Sequence, residues 1–128
     1  MEEWNKFLRS FPYAWSGIIH TFKTQRNMRI HGMVTILVLI LLWWLNVPRG
    51  DVLLVFFCIA LVMSLELVNT AIEAVVDLVT EEWHPQAKIA KDVAAGAVLF
   101  SVFISVIIGL YVFVPPLWEK IILLTRVE

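Results

Sequence analysis

Hydrophobic positions dominate this chain, and they fall into long runs rather than an alternating pattern. Val93 to Val114 is a 22-residue stretch without a charge, ended by Pro115-Pro116. A bilayer core of ~30 Å needs about 20 apolar residues as a helix. Gly32 to Pro48 is a second uncharged run, of 17 residues. Val52 to Leu65 is a third, of 14 residues, and its helical pattern continues past Glu66 to Val79. A buried helix of a soluble protein explains one such run, not three in so short a chain. The pattern predicts spanning helices over 28–47, 52–79 and 92–114. They are joined by a turn-rich link at Asn46–Asp51 and a polar link from Thr80 to Ala90 that contains Pro85.

The first 27 residues differ in kind. Trp4, Phe7, Leu8, Phe11, Trp15, Ile18, Ile19 and Phe22 recur at helical spacing, with Lys6, Arg9 and Lys23 among them. That is the signature of an amphipathic helix lying on a membrane surface. Ser10 and Pro12 are expected to break it in two. Residues 115–128 form a tail whose part from Leu117 reads as a second interfacial helix. The whole, 1–128, is one domain of an all-α integral membrane protein.

Composition sharpens this. Hydrophobic residues make up 60% of the 128, and charged residues 16%, against roughly 25% in soluble domains. Disorder is excluded, since it needs low hydrophobicity and high net charge. A net charge of −1 gives no electrostatic footprint for a nucleic-acid partner. The single cysteine, Cys58, excludes an intramolecular disulfide and reads as packing.

Basic residues set the expected orientation. Lys6, Arg9, Lys23, Arg26, Arg29, Lys88 and Lys91 share one side of a three-span topology, against Arg49, Lys120 and Arg126 on the other. The richer side, carrying the N-terminus, is expected to be cytoplasmic. Trp43, Trp44, Tyr111 and Trp118 then fall near the outer interface, and Trp15 and Trp83 near the inner one, as an aromatic belt requires.

The chemistry lies on the second span. Glu66, Asn69, Thr70, Glu73 and Asp77 fall within an arc of roughly 100° on a helix. Counted from Asp51, Glu66 lies ~22 Å along the helix and Glu73 ~33 Å. Glu66 is thus inside the hydrocarbon core and Glu73 at its inner boundary. Ionisable residues within a span are costly and mark function by default. Blander readings stand beside this one. Asp77 and Glu73 can be the solvated start of a link, and Asn69 an interhelical bridge. A buried carboxylate can act as a general base toward a hydroxyl. A carboxylate at the water boundary can hold Mg²⁺ together with substrate phosphates. Lys91 and Asp92, expected at the start of the third span, can meet a phosphate with the help of the helix dipole. His20 and His31 read as interfacial polar residues. The residues alone therefore leave two classes open: an enzyme, or an ion conduit or scaffold.

The stretch from Glu66 to Asp77, followed by Glu82-Trp83-His84 and Ala90-Lys91-Asp92, resembles the prokaryotic diacylglycerol kinase family. Thr21 to His31 is similar to its undecaprenol kinase branch from Gram-positive bacteria. The resemblance implies a homotrimeric membrane kinase that uses ATP and Mg²⁺ to phosphorylate a lipid alcohol, undecaprenol or alternatively diacylglycerol. It implies Glu66 as catalytic base and Asn69 and Ala95 as lipid-contacting. It assigns Glu73 to the metal and to ATP. It also places Lys6, Tyr13, Gln25, Glu82, Trp83, His84, Lys91 and Asp92 at the nucleotide. One departure matters: the family carries a second acidic metal ligand where this chain has Gln25. An amide oxygen can coordinate, but without charge. Either the second metal is held less well, or another acid compensates.

Overall fold

The computed structural model of the protein describes residues 1–125, apart from the side chain of Glu2. Four helices follow one another: α1 (Glu2–Thr24), α2 (Arg26–Leu45), α3 (Arg49–Val79) and α4 (Pro85–Thr125). Three of them, α2, α3 and α4, are long and apolar enough to cross a membrane. At ~1.5 Å per residue α2 is about 30 Å long, one hydrocarbon thickness. The 31 residues of α3 and 41 of α4 exceed that thickness, so both project beyond it.

Only about a fifth of each spanning segment is buried within the chain. Large side chains such as Met33, Leu53, Phe57, Leu99 and Phe103 lie outward and exposed. The inward stripes are narrow: Val55, Cys58, Val62, Glu66, Asn69 and Thr70 on α3, and Ala94, Val98, Ser101 and Val112 on α4. Hydrocarbon around the bundle, rather than water, makes such an inside-out distribution stable. The protein is a multi-pass membrane protein.

Packing is uneven along the bundle. At the end where α2 turns into α3, Leu42, Leu45, Val47, Val55 and Val112 form an apolar core. That turn is tight. Asn46 adopts the left-handed conformation (φ 52°, ψ 46°), which asparagine tolerates. The Asn46 and Val47 N–H groups donate to Trp43 and Leu42 carbonyls, closing the end of α2. Pro48 then precedes α3. The link is three residues, shorter than the Asn46–Asp51 expected, because Arg49, Gly50 and Asp51 already form the first turn of α3.

At the opposite end the bundle is polar. Thr21, Glu66, Asn69, Thr70 and Ser101 are all buried there or along the inward stripes. Between α1 and α2, Gln25 alone is extended (φ −93°, ψ 121°), and its N–H donates to the Thr21 carbonyl at 2.8 Å. The chain folds back at this point. Phe22 lies so near Gly32 that a Cβ there would sit 3.0 Å from its ring. Arg29 donates to the Lys23 carbonyl at 2.9 Å, serving one of the orphan acceptors at the end of α1.

Three sequence expectations are corrected. First, α1 is continuous through Ser10 and Pro12. Proline removes one helical donor, and at this exposed position water can serve the carbonyl left over. The Ser10 hydroxyl donates to the Phe7 carbonyl, a bond compatible with helix. Second, α4 begins at Pro85, not at 92. Proline suits a first helical turn, where its missing N–H is no loss. Third, α4 runs through Pro115-Pro116 to Thr125, so no separate tail helix exists up to that residue. The proline φ suits a helix, and the continuation is fixed from outside: Lys120 donates to the Trp44 carbonyl and sits 4.5 Å from the centre of its ring. Residues 126–128 of the expected tail, with Arg126, lie outside the described residues.

Candidate functional site

The site begins with the geometry of α3. Counted from Arg49, Glu66 lies about 26 Å along the helix axis and Glu73 about 36 Å. Glu66 is 1% exposed and Asn69 4%. The Asn69 amide nitrogen donates to Glu73 Oε1 at 3.0 Å, one helical turn away. The Thr70 hydroxyl donates to the Glu66 backbone carbonyl at 2.9 Å, which turns it away from the carboxylate. Two acceptors remain without a partner in the described structure: Glu66 Oε2 and Asn69 Oδ1. Unsatisfied buried acceptors are rare and call for a reason. From α2, His31 lies within electrostatic range of Glu66.

Beyond Glu73 the helices α3 and α4 open into a cleft of about 480 Å³ around their connection. Asp77, Glu82, Trp83, His84, Lys88, Lys91 and Asp92 line it. The five-residue connection is ordered by its own polar groups. Thr80 Oγ1 donates to the Glu82 carbonyl and accepts from the Glu82 N–H. His84 Nδ1 accepts from the Gln86 N–H at 3.2 Å, capping α4 as an N-cap side chain does.

Two ion pairs stand in this cleft: Lys91 with Asp77 across the connection, and Lys88 with Asp92 one turn apart. Three of the four side chains are more than 60% exposed and Lys91 is 38% exposed. Such pairs contribute roughly 0–1 kcal/mol. Either lysine can therefore exchange its carboxylate for a phosphate at little cost. Because α4 begins at Pro85, Lys91 sits two turns inside the helix. The dipole at a helix start, expected to assist it, acts on Pro85–Ala87 instead.

The structure thus gathers Glu66, Asn69 and Glu73 on one face, and Glu82, Trp83, His84, Lys91 and Asp92 around one cleft. None of the other residues expected at the site lines the cleft. Lys6 pairs with Glu3, and Tyr13 is 78% exposed on α1. Ala95 lies exposed on α4, beside the buried Ala94. Gln25 sits half-buried at the junction of α1 and α2. Sequence places Asp77 on the acidic face of α3 without pairing it to Lys91, and gives Lys88 only a part in orientation. The i, i+4 spacing of Lys88 and Asp92 was a visible signal; the pairing of Asp77 with Lys91 depends on how the connection closes. His31 was read as interfacial, and only the packing of α2 on α3 brings it near Glu66.

Among the described residues, no three His, Cys, Asp or Glu side chains converge as a metal cage. Magnesium is commonly held by one or two carboxylates together with substrate phosphates and water. Glu73 beside an open polar cleft fits a metal that arrives with a nucleotide.

Comparison with known proteins decides the family. The prokaryotic diacylglycerol kinase profile matches residues 12–113. The chain belongs to the prokaryotic diacylglycerol kinase family. It is similar to an undecaprenol kinase of Bacillus subtilis, 45% identical over 90% of this chain and 94% of that one. A diacylglycerol kinase of Synechocystis is 47% identical over 86% of this chain, which spans 63% of that longer relative. A diacylglycerol kinase of Escherichia coli is 31% identical over 80% of this chain and 84% of its own length. The chain is therefore a membrane-embedded kinase. The family match takes in Tyr13 and every site residue on α2, α3 and α4. Lys6 and the turns from Pro115 onward fall outside it.

Proposed function

We propose that the protein is an undecaprenol kinase, transferring the γ-phosphoryl group of ATP to the lipid hydroxyl at the cytoplasmic face of the membrane. The observation that carries it is Glu66: a carboxylate 1% exposed, with Oε2 unpartnered, nearly three turns deeper on α3 than Val76, where the lysine-bearing cleft begins. An acceptor held in the bilayer and a donor held in water meet along this one helix face. The choice of undecaprenol rests on the similarity to the Bacillus subtilis protein across nearly its whole length.

In this reading the lipid hydroxyl donates to Glu66 Oε2 and gives up its proton there. Its oxygen forms a bond to the γ-phosphorus as the bond to the β-phosphate oxygen breaks, and ADP leaves. Asn69, tied to Glu73, orients the hydroxyl with its second amide atom. Lys91 releases Asp77 and takes the γ-phosphate, with Lys88 and His84 nearby and Trp83 and Glu82 at the nucleoside. Glu73, with Gln25 as a weaker neutral ligand, would hold Mg²⁺, whose charge neutralises the phosphates during transfer. α1 lies on the cytoplasmic membrane surface. Its Tyr13 and Lys6 do not reach the cleft of their own chain, which favours a homotrimer in which α1 serves a neighbouring subunit's nucleotide.

The test is direct. Purified protein in lipid vesicles is given γ-labelled ATP, Mg²⁺ and either undecaprenol or diacylglycerol. Faster labelling of undecaprenol is expected. Labelling of diacylglycerol alone moves the substrate; labelling of neither removes the reading.

A further inference from the structure

Among the three spans lies a cavity of about 240 Å³ that the site above does not use. Its walls come from α2, α3 and α4, and they include His31, Leu41, Cys58, Ser105, Gly109 and Phe113. An apolar cavity of roughly 150 Å³ stays dry and takes up a benzene-sized guest; this one is larger. It is also elongated. His31 and Leu41 are ten residues apart on α2, about 15 Å along the membrane normal. Its inner end is marked by His31 on α2 and by Val62 and Met63 on α3, one turn from Glu66. Its outer end is closed by Leu41 and Phe113, next to the apolar core at the α2–α3 turn. Gly109 leaves part of this space empty: a Cβ there would meet only the Phe113 ring, at 4.0 Å.

We infer that this cavity holds the isoprene units next to the hydroxyl of the lipid alcohol, and so selects a prenyl chain. The inference rests on the proposed lipid-kinase reading. A hydroxyl at Glu66 must be followed by hydrocarbon running outward through the bilayer. The cavity begins at that depth, runs in that direction, and has apolar walls over most of its length. A long polyprenol then continues into the surrounding lipid, while the first units are enclosed by the protein.

Two variants and the unaltered protein test this. Gly109→Leu fills the cavity, and leucine is the better helix former. Ser105→Leu fills it from one turn away. Each is expected to lower kcat/KM for undecaprenol by roughly tenfold or more, the scale on which apolar pockets discriminate, through KM for the lipid. KM for ATP should stay unchanged. In the wild-type protein Cys58, the chain's single cysteine, should be alkylated by a small membrane-permeant thiol reagent more slowly when undecaprenol is present, and not when diacylglycerol replaces it. Unchanged lipid kinetics in variants that keep the wild-type melting temperature overturn the inference. So does a Cys58 reaction rate indifferent to undecaprenol, which decides the matter even where a variant does not fold. Protection of Cys58 that vanishes on dilution without lipid means that a second copy fills the space, and also overturns it. Wild-type protein that labels diacylglycerol but not undecaprenol removes the parent reading as well; normal undecaprenol turnover with an indifferent cavity removes only this one.

Discussion

Replacing Glu66 by glutamine should separate activity from stability, moving them in opposite directions. The side chains have the same shape, and the site is 1% exposed, so packing is conserved. What changes is charge and one donor. Burying a carboxylate without full compensation is costly, and glutamine removes that burden. Its new N–H₂ group also enters a region where Asn69 Oδ1 has no partner. Satisfying one such acceptor is worth about 1 kcal/mol. The variant should therefore be as stable as the wild type or slightly more so. Turnover should fall by roughly 10²–10⁴, the usual loss for a positioned general base, which is about 3–5 kcal/mol on the barrier. Mg-ATP affinity should stay within about twofold, because Glu66 lies ~10 Å deeper along α3 than Glu73. The assay is a set of three measurements on one preparation: turnover with undecaprenol, Mg-ATP affinity by equilibrium binding, and thermal unfolding in detergent. Near-normal turnover would refute the role of Glu66. A fall in turnover accompanied by a large loss of stability would make Glu66 a structural carboxylate instead.

Lys91→Met should reduce turnover by roughly 10²–10³, the loss typical of one charge-stabilising donor, while Asp77→Asn should alter melting stability by no more than about 1 kcal/mol; equal effects of the two on turnover would mean that the pair itself is what matters. Gln25→Glu should raise turnover and lower the magnesium needed for half-maximal rate. A rise in melting temperature without a change in magnesium dependence would show only that an anion suits the start of α2. Lys120→Ala should destabilise the protein by about 1–2 kcal/mol, through loss of its contacts to the Trp44 carbonyl and ring, and leave turnover unchanged; an unchanged melting temperature would deny that the end of α4 clamps α2. In a Cys58→Ser background, an impermeant thiol reagent should label a cysteine at position 49 from outside intact cells and not one at position 88; labelling at 88 alone would invert the topology.

The three spans were legible because their signal is length and uniform apolarity, which lipid reads without needing a fold. The polar face of α3 was legible for a related reason: helical periodicity alone puts Glu66, Asn69 and Glu73 together. The ends of helices were harder. Pro12 and Pro115-Pro116 read as breaks, yet proline's own φ is helical, and whether a helix stops depends on what else holds it. For α4 that is Lys120 on Trp44, a contact between residues 76 apart in sequence that no local pattern shows. Pro85 misled in the opposite sense: read as part of a link, it is the first residue of α4. The same error placed Lys91 at a helix start. His31 shows what periodicity cannot supply, since its nearness to Glu66 is a property of two packed helices. The family resemblance is a different kind of information. It named Tyr13 and Lys6, which the geometry of one chain leaves apart from the cleft.

The uneven packing of the bundle bears on the conduit reading as well as the enzymatic one. A transbilayer path needs polar groups or water-filled space at every depth. Here the buried polar residues of α3 stop at Glu66, and beyond it the inward stripe is Val62, Cys58 and Val55. Leu42, Leu45, Val47 and Val112 close the far end. An ion brought to Glu66 from the cleft would face about 26 Å of helix with an apolar inner stripe before the α2–α3 turn. The same closure suits a kinase. Phosphoryl transfer depends on positioning and charge stabilisation, and it is spoiled by water that competes for the phosphate. A carboxylate at the inner end of a bundle whose far end is apolar meets phosphates from one side only. In the proposed reading α3 supplies the spacing rigidly: Glu66, Asn69 and Glu73 lie on one continuous helix, so the separation of the proposed base from the proposed metal ligand is set by seven residues of helix rather than by a loop.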